Sequence, residues 1–164
     1  IGMLATVMNC LAVADQLRQL GVPAQVQTSI VMPQVASVFT RDSAVESMEV
    51  GNVVLFGGGT GNPLFSTDTA SALRAIETGC DVMFKATMVD GVYDKDPKKY
   101  ADAVKYDQLT FTEVLEKNLA VMDGTAATLC RENKLPILVF DLKGPDNIAR
   151  AVRGETVGTL VVEE

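Results

Sequence analysis

Histidine is absent from the 164 residues, and that gap removes whole classes of chemistry. Ser-His-Asp and Cys-His catalysis have no base to work with, and the usual zinc sites lose their main nitrogen ligand. Cysteine is scarce. Cys10, Cys80 and Cys130 are odd in number, far apart and without C-x-x-C spacing, so no disulfide framework is expected. With no signal peptide visible, the three thiols are expected to be buried and structural, in a reducing compartment. Positive charge is also short, with 14 Lys and Arg against 21 Asp and Glu for a net charge of −7. The basic residues are scattered rather than gathered on one stripe, which removes the electrostatic footprint of a nucleic-acid binder. Long apolar runs are missing too, since no block approaches the roughly 18 consecutive residues of a membrane span. Neither nucleic acid nor membrane is expected as a partner. Any anionic ligand must be held by backbone amides, helix N-termini, a few lysines or Mg²⁺.

What remains is a core-forming chain, 48% hydrophobic and of a length that suits one domain over residues 1–164. Apolar residues Leu4, Val7, Met8, Leu11 and Ala14 recur at helical steps between Met3 and Leu20, and Gly21 with Pro23 supplies a stop. "AQVQTSI" alternates like a strand, "RDSAVESME" suits a short helix, and "NVVLF" has no polar face, as a strand buried on both sides should be. "TDTASALRAIETG" reads as a helix with both ends marked, and "DVMF" as the next strand. "ATMVDGVYDKDPKKYADA" is a long punctuated loop with room for a small hairpin. Thr110 and Glu113 stand at capping-box spacing before a helix; "DGTAATLCRENK" is a helix, "PILVFDL" a strand, "DNIARAVRG" a helix and "GTLVVE" a strand. Met3, Met8 and Met122 are expected to fill the core. Strands alternating with helices predict an α/β fold, an αβα sandwich with a largely parallel central sheet. Ligands in such sheets bind beyond the carboxyl ends of strands, where the glycine-rich and aspartate-rich loops both lie.

Three stretches are candidates for chemistry. "GGGTGNPLFST", Gly57 to Thr67, lacks the Gly-Lys pair of a Walker A loop, and Asn62 stands where the Rossmann pattern needs its third glycine. It still offers a dense set of amides and hydroxyls at a helix start, where the helix dipole favours anions. A flexible corner capped by Thr67 or Asp68 is the plainer alternative. "KATMVDGVYDKDP", Lys85 to Pro97, offers Lys85 as a phosphate partner, Thr87 as a hydroxyl and Tyr93 as a flat ring. Its Asp90, Asp94 and Asp96 suit ribose or a Mg²⁺-phosphate unit. It does not fit an EF-hand, and a solvated acidic turn explains it equally well. Asp123 in "VMDGTAATL" is placed like a helix cap and gains interest only in company.

Taken together, "GMLATVMN", "GTGNPLFSTDTAS.LRA", "KATMVDGVYDKDP", "Y.QLTFTEVLEK.L.VMD.TA" and "PI.VF....P.NI.R...GE..GTLV" resemble the bacterial uridylate kinases of the amino acid kinase superfamily, in the same order and at the same separations. The resemblance runs from Ile1 to the C-terminus. It implies transfer of the γ-phosphoryl of ATP to UMP, giving UDP for pyrimidine biosynthesis, with Mg²⁺, on the amino acid kinase fold, in a cytoplasmic homohexamer. It implies that an acceptor loop at about 57–68 holds UMP through Thr60, Gly61, Asn62, Pro63, Leu64, Phe65, Ser66 and Thr67. An ATP-binding part at about 81–164 would use Thr87, Tyr93 and Asp96. Lys85 would lie near the ATP contacts and, with Asp68 and Asp123, form the catalytic set; the two aspartates match ones that the family places at the reacting phosphates, orienting lysines and Mg²⁺ rather than acting as bases, and no residue is assigned as a dedicated metal ligand. Ser66 stands where many members have threonine and keeps the hydroxyl. Members also carry a strand with a "K-L-S-G" motif, a "G-G-G-N" loop and an aspartate ahead of the position of Ile1. The chain is therefore expected to lack the N-terminal third, and the 164 residues alone to be inactive. The alternatives are an amino acid kinase that phosphorylates a carboxylate and a non-catalytic module for nucleotide binding or assembly.

Overall fold

Helix α1, Gly2–Gln19, opens the chain and stops as a Schellman turn, with Val22 N–H donating to Leu17 O at 2.9 Å and Gly21 N–H to Arg18 O at 3.0 Å. Gly21 takes the positive φ that this turn needs. The computed structural model describes residues 1–119 and 121–163. It divides into two compact units, Ile1–Thr78 and Gly79–Glu164, which meet in sequence without a linker-like stretch.

In the first unit, strands β1 (Ala24–Thr28), β2 (Ser37–Val38) and β3 (Val53–Gly57) form an all-parallel sheet in the order β2-β1-β3. Helices α2 (Arg41–Glu49) and α3 (Thr67–Glu77) complete it. The core gathers Ala14, Ala24, Val26 and Ala36, with Cys10, Leu11, Leu17 and Leu55 packed against them. The buried side of α1 therefore follows Val7, Cys10, Leu11, Ala14 and Leu17, which keeps Val7, Leu11 and Ala14 of the expected face and leaves out Leu4 and Met8. Met8, placed in the core by the sequence, is 70% exposed, and Leu4 is half exposed. Two apolar stripes on one helix share the same period, so spacing alone does not choose between them. Met3 and Met122 are half-buried. β3 also departs from expectation. Val53 is exposed and Val54 to Phe56 are only partly buried; among the described residues β3 ends the sheet order and pairs with β1.

In the second unit, β4 (Met83–Thr87), β5 (Gln108–Thr110), β6 (Ile137–Asp141) and β7 (Thr159–Val162) form a sheet in the order β4-β6-β7-β5. Among the described strands of this sheet the β6/β7 pair is antiparallel and the other two pairs are parallel. The strands are largely parallel as expected, but they fall into two sheets. β5, which the sequence reading did not foresee, is a three-residue strand running into the helix start at Thr110. Helices α4 (Phe111–Glu116), α5 (Gly124–Glu132) and α6 (Asn147–Val152) complete this unit. Phe111 and Phe140 are almost fully buried, each side chain contributing about 1.5–3 kcal/mol by leaving water. The capping box is present, Thr110 Oγ1 accepting from Glu113 N–H at 3.1 Å and the Glu113 carboxylate from Thr110 N–H at 3.0 Å. Cys130 is buried and Cys10 half-buried, but Cys80 is exposed, contrary to expectation. It follows Gly79 in the connection between α3 and β4, which runs over the surface as connections do. Among the described residues no helix is long and apolar enough to cross a membrane.

Candidate functional site

β3 runs out at Gly57, and the chain then turns through positive φ at Gly58 (+81°), Gly59 (+60°) and Gly61 (+78°). The close packing gives a second reason for glycine. A Cβ on Gly57 would lie 2.9 Å from the Val7 Cα of α1, and one on Gly58 2.8 Å from Thr28 Oγ1. Hydroxyls pin the loop from both sides. Gly58 N–H donates to Thr6 Oγ1 at 2.9 Å, and Ser29 Oγ donates to Gly59 O at 2.7 Å. Thr60 and Asn62 fasten the tip, Asn62 N–H donating to Thr60 Oγ1 at 3.2 Å and its amide Nδ2 to Thr60 O at 3.3 Å. Leu64 takes φ +72°, and it and Phe65 stand exposed.

Ser66 then caps α3, its Oγ accepting from Thr69 N–H at 3.0 Å. The sequence placed this cap at Thr67 or Asp68. Those residues instead occupy the first helical turn, because Ser66 is the residue with the extended backbone (φ −81°, ψ 171°) that a cap requires. A cleft of about 360 Å³ lies between the first turn of α1 and this loop. Thr60 and the run Asn62 to Thr67 line it, whereas Gly61 turns against Ser29. Thr6 and Ser29 carry no signal in the sequence, since each meets the loop from a distant segment.

In the second unit β4 carries Lys85, half-buried, and ends at Thr87. The Thr87 hydroxyl accepts from Val89 N–H at 2.9 Å and donates to Val89 O at 3.0 Å, closing the turn after the strand. Asp90 receives the Tyr93 phenol at 2.7 Å and the Lys105 ammonium at 3.1 Å. The phenol bond, helped by Lys105, holds the Asp90 carboxyl below its ordinary range, and the same bond pushes the Tyr93 phenol above its own. Asp94 accepts from Val104 N–H at 2.8 Å, and Asp96 from Lys98 N–H at 3.0 Å. The hairpin expected here is a single antiparallel bridge, Tyr93 to Lys105.

This loop is tied to β7. Thr159 Oγ1 accepts from Val92 N–H at 2.8 Å and donates to Tyr106 O at 2.5 Å, and a Cβ on Gly91 would meet that oxygen at 2.5 Å. Tyr93 and Asp96 share a cleft of about 400 Å³ with Asn118 and Leu119, while Thr87 lies outside its lining. Asp123 caps α5, its Oδ1 accepting from Ala126 N–H at 3.0 Å. Asp68 lies in the first turn of α3. The ATP-binding span of about 81–164 includes Ala120 and Glu164, which lie outside the described residues. Among the described residues no three His, Cys, Asp or Glu side chains gather as a metal cage.

Residues 1–141 match the sequence model of the amino acid kinase family. The whole chain is 56% identical to the uridylate kinase of Paramagnetospirillum magneticum, covering 68% of that protein. Among solved structures it superposes on UMP kinase from Bacillus anthracis with a TM-score of 0.96 and 38% identity, over 99% of this chain and 68% of that one. UMP kinase from Ureaplasma parvum gives 0.93 and 36%, over 98% of this chain and 69% of that one. Uridylate kinase from Archaeoglobus fulgidus gives 0.61 and 37%, over 75% and 58%.

Proposed function

The chain belongs to the uridylate kinases of the amino acid kinase family, and on that premise we propose that it transfers the γ-phosphoryl group of ATP to UMP, yielding UDP and ADP. The observation that carries this reading is the glycine loop at the carboxyl end of β3, held open by hydroxyls over a cleft, in a chain 56% identical to a named uridylate kinase.

The first unit takes the acceptor. Thr60, Gly61, Asn62, Pro63, Leu64, Phe65, Ser66 and Thr67 surround UMP, with the exposed Leu64 and Phe65 offering apolar surface to the base. The second unit takes ATP. Tyr93 and Asp96 face its cleft, Thr87 sets the turn leading into it, and Lys85 supplies positive charge to the phosphates. A UMP phosphate oxygen is already a competent nucleophile, so the protein aligns it and neutralises charge on the transferring group rather than removing a proton. Asp68 and Asp123 orient the cations that do this. Among the described residues no three-carboxylate cage gathers, so Mg²⁺ would enter with ATP and be oriented there by Asp68 and Asp123. When bound, it supplies charge neutralisation on the ATP phosphates. We further place the enzyme in the cytoplasm, in pyrimidine nucleotide synthesis, as a homohexamer built from chains in which residues 1–164 act as one catalytic domain.

A coupled assay on the full-length protein with Mg·ATP, comparing UMP with glutamate, aspartate and acetylglutamate, tests the proposal. UDP formation from UMP alone is expected. Turnover of an amino acid but not of UMP would move the protein to the carboxylate-phosphorylating branch. Calorimetric binding of UMP and ATP without any transfer would make it a binding module.

A further inference from the structure

Arg74 is the most buried charged side chain described, with 8% of the residue exposed, although it lies in the last turn of α3, away from the acceptor cleft's lining. A buried guanidinium is costly unless every face is met. Here each one is. Its Nη1 pairs with the Glu77 carboxylate, its plane lies 3.7 Å from the centre of the Phe39 ring, and its Nη2 donates to Ser29 Oγ at 2.8 Å.

The last bond has a directional consequence. Arginine has only donors, so Ser29 Oγ must accept from it, and the single hydroxyl proton is left for the Gly59 carbonyl, which it meets at 2.7 Å. Ser29 also braces the loop elsewhere. Its N–H donates to Gly57 O at 3.2 Å, and its own atoms come within 3.2 Å of where a Cβ on Gly61 would stand. Glu77, Arg74, Ser29 and Gly59 thus form one chain of charge-assisted and hydroxyl bonds ending on the loop that carries Thr60 and Asn62.

We propose that Arg74 is a positioning residue for the acceptor nucleotide, acting through Ser29 to fix the glycine loop between Gly57 and Asn62. The inference rests on the assignment of this loop to UMP. With Arg74 neutral and shorter, the Ser29 hydroxyl loses its fixed direction, Gly59 loses its donor for part of the time, and the acceptor site samples misaligned states.

Steady-state kinetics of the full-length protein with UMP and ATP varied separately test it, using Arg74→Gln, Arg74→Lys, Ser29→Ala and the Arg74→Gln/Ser29→Ala pair. Losing one charge-assisted link should raise the KM for UMP on the order of tenfold, with the KM for ATP changed less than about twofold. The double variant should be no worse than the poorer single one, because both substitutions cut the same chain. Arg74→Lys, which keeps a charged donor, should fall between wild type and Arg74→Gln. A KM for UMP unchanged in Ser29→Ala, equal shifts for the two nucleotides, or fully additive effects would overturn the inference. Ser29→Ala removes only one oxygen and serves as the decisive variant if Arg74→Gln does not fold. A wild-type enzyme that leaves UMP untouched would overturn the functional reading and this inference together, whereas an active wild type with unaltered variants would overturn the inference alone.

Discussion

Asp123 allows its structural and chemical roles to be separated by a change of one atom. Its Oδ1 accepts from Ala126 N–H at 3.0 Å as the cap of α5, and asparagine caps as well as aspartate does. Asp123→Asn should therefore hold stability to within about 0.5 kcal/mol. Asp123→Ala should lose about 1 kcal/mol, a fall in Tm of about 2–4 °C for a chain of this size. The chemical effect runs the other way. A full charge acting over about 6 Å at an effective dielectric of about 20 is worth about 2.8 kcal/mol, or roughly a hundredfold in rate. If, as proposed, the group orients cations at the transferring phosphate rather than gripping the acceptor, both variants should lose about that factor in kcat while the KM for UMP stays within about threefold. Scanning calorimetry beside UMP-dependent ADP release would measure the two effects on the same samples. If Asp123→Asn turned over at the wild-type rate, Asp123 would be a helix cap and nothing more.

Gly158 sits at φ +68°, and a Cβ there would run into the Val139 carbonyl and lie 2.8 Å from the Phe140 Cβ. Gly158→Ala should lower urea stability by about 2 kcal/mol or more. The Asp90 carboxyl is held low by Tyr93 first and Lys105 second. Its contribution to stability is therefore complete above the unfolded carboxylate pKa of about 3.9 and drains away as pH falls through the lower folded value; Tm measured from pH 6 to pH 2 should fall further in wild type than in Asp90→Asn, in which Glu113 and Glu155, also held low, still give part of the loss. Burial pushes the Cys130 thiol up to about 11, while Cys80 is exposed. A thiol-reactive chromophore at pH 8 should therefore label Cys80 in the native protein and Cys130 only after unfolding.

Where local chemistry decides, the sequence was legible. The Thr110 and Glu113 capping box, the helix over Arg41–Glu49 and the stop at Gly21 each depend on neighbours within four residues, and each is found. The glycine loop after β3 could be located in the same way, because a strand run followed by glycines and a Ser/Thr/Asp cluster encodes both the turn and the helix start. What holds that loop was not legible. Thr6, Ser29 and Arg74 reach it from segments far away in sequence, and no spacing rule announces a bond of that span. The misplaced Met8 shows the same limit: period reports that a helix has an apolar side but not which side a sheet will cover. Cys80 failed for a related reason, since scarcity of a residue type says nothing about its exposure.

The strand order β4-β6-β7-β5 sets a timetable for biosynthesis. Among the described strands β7 comes last in sequence, is the only neighbour of β5 and also pairs with β6. Once residue 78 has emerged, every element described in the first unit has been supplied, so that unit can begin folding early. The second must wait until residue 162 has cleared the exit tunnel. During that interval β5 and one edge of β6 are unpaired and open to wrong partners, which makes the second unit the place where chaperone dependence and slow, non-local closure should concentrate.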